Sequence, residues 1–234
     1  MRREWSIETG IIENVYTLDR GVTRTLIEKG IDAALIPHGA SNRDSALVAR
    51  IIQDHYEALE GMFDFVGGQR QLSTGYIKEL HAALLRNQDT HTVVDQFGRA
   101  FERPLEKGKY KTFSNSPTHP DGSMHAYCPP EHVAAEMDRL VEMHSQHVQR
   151  GVESEAQAAW LHHRFTQIHP FVDGNGRVAR ALAGLVFIRA DWFPLIVNRD
   201  DWDRYIEGLE KADASDLKPL ISMFVEAERK ALLG

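Results

Sequence analysis

The sequence predicts a mainly α-helical protein, a helical bundle that carries one small β-hairpin. Apolar residues recur at helical spacing near 42–63, 71–86, 131–149, 153–168, 176–190 and 202–230. The interval from Gly98 to Pro130 breaks that pattern, because Gly, Pro, Asn and Ser accumulate there. Within it the strand-like runs KYKTF and MHAYC flank NSPTHPDGS, whose Pro120-Asp121-Gly122 is a turn signal.

Each element has a local reason. In the third helical stretch Val133, Met137, Leu140 and Val141 fall on one face after the Pro129-Pro130 start signal. The VGGQRQ stretch at Gly67 and Gly68 reads as a helix-to-helix loop or minor boundary, with an N-terminal helical segment over 1–66 and a larger domain over 67–234. A hairpin inserted among helices is an accessory able to serve a site, and a long surface loop fits the same pattern as well.

The chain has 234 residues, 42% hydrophobic and 26% charged, an ordinary balance for a globular protein. A formal net charge of -7 and no Lys/Arg cluster argue against a nucleic-acid partner. No apolar run reaches membrane-span length, so no membrane partner is expected. Cys128 is the single cysteine, and MRREWSIETG lacks the apolar core of a signal peptide, which points to a cytoplasmic protein.

The chemistry concentrates in HPFVDGNGRVAR, His169 to Arg180. Gly174-Asn175-Gly176 lies between two apolar helical stretches, where small residues let successive backbone N–H groups face a ligand at a positive helix end. That is a phosphate site. Arg177 and Arg180 are three apart and add two guanidinium forks, which suits a polyphosphate. Asp173 just before the cradle would repel phosphate unless a divalent cation came between them, and magnesium bridges carboxylate and phosphate in this way. His169 offers a proton acceptor near neutral pH. Together these residues predict a Mg2+-nucleotide and nucleotidyl or phosphoryl transfer.

At these residues the chain resembles the Fic family, whose signature is His-x-Phe-x-Asp/Glu-Gly-Asn-Gly-Arg-x-x-Arg. Every specified position is met, by His169, Phe171, Asp173, Gly174, Asn175, Gly176, Arg177 and Arg180. Segments before and after the signature, AAWLHHRFTQI and DRYIEGLEKADASDLKPLISMF, also look like the family, and the likeness covers the chain from about Leu72. The resemblance implies a Fic-type helical bundle that transfers AMP from ATP to a Ser, Thr or Tyr hydroxyl of a target protein. It makes His169 the base, Asp173 the Mg2+ ligand, Gly174 to Gly176 the anion turn, Arg177 and Arg180 the phosphate holders, and Phe171 a core anchor. Phosphorylating Doc-type relatives carry other residues where Gly and Arg stand here, so the likeness is to the adenylylating branch. The region from Lys107 to Val133 is similar to the family's flap, and Tyr110, Lys111, Thr112 and Phe113 are the candidate edge on which an extended target segment pairs.

Many family members also carry an inhibitory helix with the pattern Ser/Thr-x-x-x-Glu-Gly/Asn. TGIIEN fits it through Thr9, Glu13 and Asn14, while TLIEKG and SMFVEA do not, having Arg24 four before Glu28 and Ala227 after Glu226. The resemblance sets Glu13 against Arg180, where a carboxylate takes the fork meant for a terminal phosphate. Gly10 inside that helix lowers its local stability. In some relatives the same Glu supports removal of AMP, which leaves addition and removal both open here. A restraint of this kind acts within or between subunits, so a homodimer stays open as well.

Three other readings stand beside this one. They are a nucleotide-binding regulatory module without chemistry, a transferase that uses another nucleotide, and a metal phosphohydrolase with His162, His163, His169 and Asp173 as ligands. The last is weakened because adjacent His162 and His163 diverge around a helix.

Overall fold

The structure is a computed structural model and describes residues 1–94, 98–116 and 126–233. Among these residues nine α-helices and one two-stranded sheet form the molecule. The order is α1 (Arg2–Ile12), α2 (Arg20–Lys29), α3 (Ser45–Gly67), α4 (Thr74–Leu84), β1 (Thr90–Val94), β2 (Ala100–Pro104), α5 (Pro130–Gln149), α6 (Ser154–Ile168), α7 (Asn175–Arg189), α8 (Trp202–Asp213) and α9 (Lys218–Leu233). A helical bundle with one hairpin is the architecture that the sequence predicts.

Local signals start the helices. The Asp44 carboxylate accepts from the Leu47 N–H at 3.0 Å and the Ser73 hydroxyl from the Tyr76 N–H at 3.1 Å, two side-chain caps. The predicted helix over 202–230 is two helices, because Ser215 takes a left-handed φ of 70° and the chain turns between α8 and α9.

The hairpin lies earlier than the sequence predicts. Strands β1 and β2 pair antiparallel, His91 opposite Arg103, ahead of KYKTF. Residues 109–113 and 126–128 are not strands, and the Pro120-Asp121-Gly122 turn lies outside the described residues. The physical reason is that, among the described residues, backbone N–H groups of the two runs are spent on the motif and the end of the helix before it. The Lys111 N–H donates to the Pro170 carbonyl at 2.8 Å, and the Cys128 N–H to that of Gln167 at 3.3 Å. The expected flap edge is therefore split: Lys111 is buried and Tyr110 packs on Phe171 at 5.6 Å, while Thr112 and Phe113 are exposed.

Helix α7 runs through the main core, with almost every residue from Asn175 to Ile188 buried. A smaller cluster joins Ile7, Val15, Tyr16 and Leu26 to Val48, Ile51 and Ile52 of α3. The second half of α3, through Leu59, Met62 and Phe65, belongs to the main core instead. Helix α1 lies across both, since Trp5 and Ile12 join the main core and Ile7 the smaller one. Polar ties add to this docking. Glu8 pairs with Arg199 at 2.5 Å, and His55 Nδ1 lies 2.9 Å from the Ser6 carbonyl.

Gly10 has a packing reason that the sequence does not disclose. A Cβ there would lie 2.5 Å from ring atoms of the fully buried Tyr16, whose hydroxyl donates to the Ile7 carbonyl at 2.9 Å. Helix propensity favours Ala over Gly by about 1 kcal/mol, whereas forcing atoms into a packed core costs about 1–3 kcal/mol. Gly10→Ala is thus expected to destabilise, and a urea midpoint at or above the parent's would contradict this packing account.

Glu228 on α9 supplies a pH-dependent term. It is buried, and burial raises its carboxyl from 4.5 to about 7, against a hydrogen bond from the Phe193 backbone that lowers it. A folded-state pKa above the unfolded one means that folding disfavours the ionised form. The resulting loss of stability is absent below pH 4.5, grows from there to about 7 and is complete above it. Glu228→Gln is expected to melt with the parent at pH 4.5 and above it at pH 8, as followed by circular dichroism.

Candidate functional site

The motif is a loop between two buried helices. At the end of α6, His169 takes a left-handed φ of 49°, and its N–H closes the helix on the Phe165 carbonyl at 2.9 Å. At the start of α7, Gly174 has φ 76° and a missing Cβ that would sit 2.8 Å from Leu85. Positive φ and close packing together require glycine there. Gly176 is different: it lies inside the first helical turn, and a Cβ on it would lie 2.1 Å from Glu13 Oε1. Its small size makes room for that carboxylate rather than for an unusual backbone.

Asn175 ties the loop to itself. Its Oδ1 accepts from the Phe171 N–H at 2.9 Å and its Nδ2 donates to the Phe171 carbonyl at 2.8 Å. The fully buried Phe171 stacks on His81 of α4 at 3.9 Å. The Gly108 N–H donates to His81 Nδ1 at 2.8 Å, so Nε2 carries the ring proton and donates to the Asp173 carbonyl at 3.1 Å. Burial holds His81 to a pKa of about 4, consistent with that neutral form. The Asp173 carboxylate accepts from the Gly174 N–H at 2.6 Å and from Gln88 Nε2 at 2.5 Å.

The two arginines have unlike surroundings. Arg177 is 1% exposed, with Nη2 3.7 Å from Asp173, and its Nε and Nη1 have no partner among the described residues. Burial lowers its pKa. Arg180 is 2% exposed and donates to Glu13 Oε1 at 2.8 Å and to the carbonyl and hydroxyl of Thr9 at 3.2 and 3.3 Å. Burial works most strongly against its charge, but Glu13 and Tyr205 together outweigh it and leave the guanidinium above its ordinary value. Asn14, at φ 53°, turns the chain out of α1. Thr9 and Glu13 therefore meet the second motif arginine from 171 and 167 residues away in sequence, while Asn14 only turns the chain beside them.

His169 sits at the other end of the cradle. The Tyr127 ring stacks on it at 3.8 Å and 5°, and Asn115 and Asn175 approach its Nδ1 at 3.0 and 3.2 Å. Beside Asp173 and Glu13 lies a polar cavity of about 250 Å³ that Gln88, His91 and Glu102 also line. His162 and His163 point to different partners on α8, Tyr205 at 2.7 Å and Asp213 at 2.8 Å. Among the described residues no three His, Cys, Asp or Glu groups gather as metal ligands.

Sequence reasoning missed His81, Gln88, Asn115, Tyr127 and Leu85. His81 had a signal, since it falls on the buried face of α4 with Ile77, Leu80 and Leu84. Asn115 and Tyr127 fall within the flap-like region without a signal of their own, and Leu85 and Gln88 lie outside the motif and gave none.

Fold and loop together define the class, a helical bundle whose buried central helix begins in a glycine-flanked cradle facing a histidine. A family model described as the Fic/DOC family matches residues 71–187, half of the chain, and the chain belongs to that family. It is similar to protein adenylyltransferase fic-1 of Caenorhabditis briggsae, 25% identical over 213 residues, 88% of this chain and 36% of that protein. It is also similar to protein adenylyltransferase Fic of Drosophila melanogaster, 35% identical over 75 residues, 32% of this chain and 15% of that protein. The chain thus spans about a third of the nematode relative and less of the fly protein. Among solved structures, a Fic domain containing signaling protein from Bacteroides thetaiotaomicron superposes with TM-score 0.79 at 24% identity, covering 99% of this chain and 84% of that one. A Fic-1 fragment from C. elegans does so with TM-score 0.72 at 22% identity, covering 99% and 61%.

Proposed function

We propose that the chain transfers AMP from ATP to a hydroxyl side chain of a target protein, with Mg2+, and that α1 restrains it. The carrying observation is the Arg180–Glu13 pair at 2.8 Å, seated on the cradle at Gly176. A buried guanidinium fork that answers to a carboxylate suits a phosphate equally well. Arg177 supports the same reading, because two of its buried nitrogens have no partner among the described residues and suit an anion held at the N-terminus of α7.

On this reading Asp173 would hold the magnesium, which would supply charge neutralisation for the phosphates. Gly174 to Gly176 and the two arginines hold the phosphates in line, and His169 takes the target hydroxyl's proton on Nε2. The hydroxyl oxygen bonds to the α-phosphorus, its bond to the β-phosphate oxygen breaks, and pyrophosphate leaves.

Two labelled nucleotides test this. Glu13→Gly protein incubated with Mg2+ is expected to retain label from the α-phosphate and none from the γ-phosphate. Retention of the γ label would replace AMP transfer with phosphorylation, and bound but unreacted nucleotide would favour a binding module.

A further inference from the structure

The His169 ring is held by Asn115 and Tyr127 from outside its own motif and by Asn175 within it, and the chemistry of the two amide contacts fixes where its proton sits. Lys111 is 3% exposed and its Nζ donates to Asn115 Oδ1 at 2.9 Å. Asn115 Nδ2 donates to the Phe171 carbonyl at 2.9 Å and lies 3.0 Å from His169 Nδ1. Turning this amide over would set its oxygen against the Phe171 carbonyl and its NH2 against an ammonium group. Turning the Asn175 amide over would set its NH2 against the Phe171 N–H and its oxygen against the Phe171 carbonyl. Both amides are thus committed to presenting N–H to Nδ1 by partners other than the histidine. A neutral imidazole has one acceptor and one donor nitrogen, and here Nδ1 is the acceptor.

We infer that Asn115, oriented by the buried Lys111, is a positioning residue that keeps the resting His169 protonated on Nε2. This deepens the proposed transfer and rests on it for its consequence. Proton uptake by Nε2 needs a lone pair there, so the ring must first carry its proton on Nδ1, which the Asn115 contact opposes. The restraint is separate from Glu13, which acts at the other end of the cradle. Both Lys111, expected at an exposed edge, and Asn115, unmarked in the sequence, thereby gain a role inside the site.

Long-range 1H–15N correlation of 15N-histidine-labelled protein tests the inference without nucleotide or target. His169→Gln identifies the His169 signals among the twelve histidines. The parent is expected to show the Nε2–H pattern. Asn115→Asp, which replaces the nearer N–H on Nδ1 with a carboxylate acceptor and keeps a partner for Lys111, is expected to switch it to Nδ1–H against the longer Asn175 contact of 3.2 Å. In a Glu13→Gly background the Asn115→Asp change is expected to speed AMP transfer roughly ten-fold, the factor set by one hydrogen bond. An Nδ1–H pattern in the parent overturns the inference by itself, even if Asn115→Asp fails to fold. An unchanged pattern in a folded Asn115→Asp protein also overturns it. Absence of transfer in both backgrounds would instead sink the functional reading and leave the spectra to decide this one.

Discussion

Glu13→Gly is expected to raise AMP transfer by one to two orders of magnitude over the parent at limiting ATP. The Arg180 guanidinium is buried, and it makes a charge-assisted hydrogen bond to Glu13 at 2.8 Å. Such bonds contribute about 1.5–3 kcal/mol, and a phosphate competing for the same fork loses roughly 10- to 150-fold in apparent affinity. Removing the carboxylate lifts that competition and clears the space in front of Gly176. The same change leaves a buried cation without its partner, so the variant should melt below the parent in the absence of ligand. Mg-ATP should restore part of the loss, because a ligand that binds the folded state stabilises it. Transfer rates at several ATP concentrations, with melting curves beside them, check both halves. Equal rates in variant and parent would remove the restraint from the proposal.

His169→Ala in the Glu13→Gly background is expected to lower transfer by about 10²- to 10⁴-fold, the range in which a positioned base contributes. ATP binding should persist, because the cradle and both arginines belong to α7, whereas His169 caps α6. Single-turnover rates and nucleotide affinity measured on one preparation separate these effects. A parallel loss of affinity would show that the substitution had collapsed the loop, which is held at Phe171 by Asn175 and His81.

How much of this was legible follows from how local each signal is. The cradle, the histidine and the arginines sit within twelve residues, so the motif displayed them before any folding argument. Thr9, Glu13 and Asn14 were legible through the family pattern alone, since nothing local ties residue 13 to residue 180. Helix α2 was not predicted, because only Thr23 and Leu26 of its residues are buried and its apolar stripe is too narrow to read. The hairpin was predicted but misplaced. KYKTF and MHAYC have strand composition, yet their backbones are spent on Pro170 and Gln167, contacts between distant segments that composition does not encode. Gly10 and Gly176 were both read through backbone freedom, and in both the deciding fact is a neighbour's side chain, Tyr16 or Glu13.

The way α1 is built in bears on how the chain could be switched. Trp5, Ile7 and Ile12 lie in two cores, and Glu8 is bound to Arg199. Glu13 itself is the residue that closes the helix, followed at once by the left-handed Asn14. Withdrawing the helix would tear open both cores, whereas swinging one side chain past Gly176 disturbs neither. On the proposed reading, proteolytic clipping of the first dozen residues would yield an unravelling chain rather than a liberated transferase, and release would fall to whatever moves a single carboxylate.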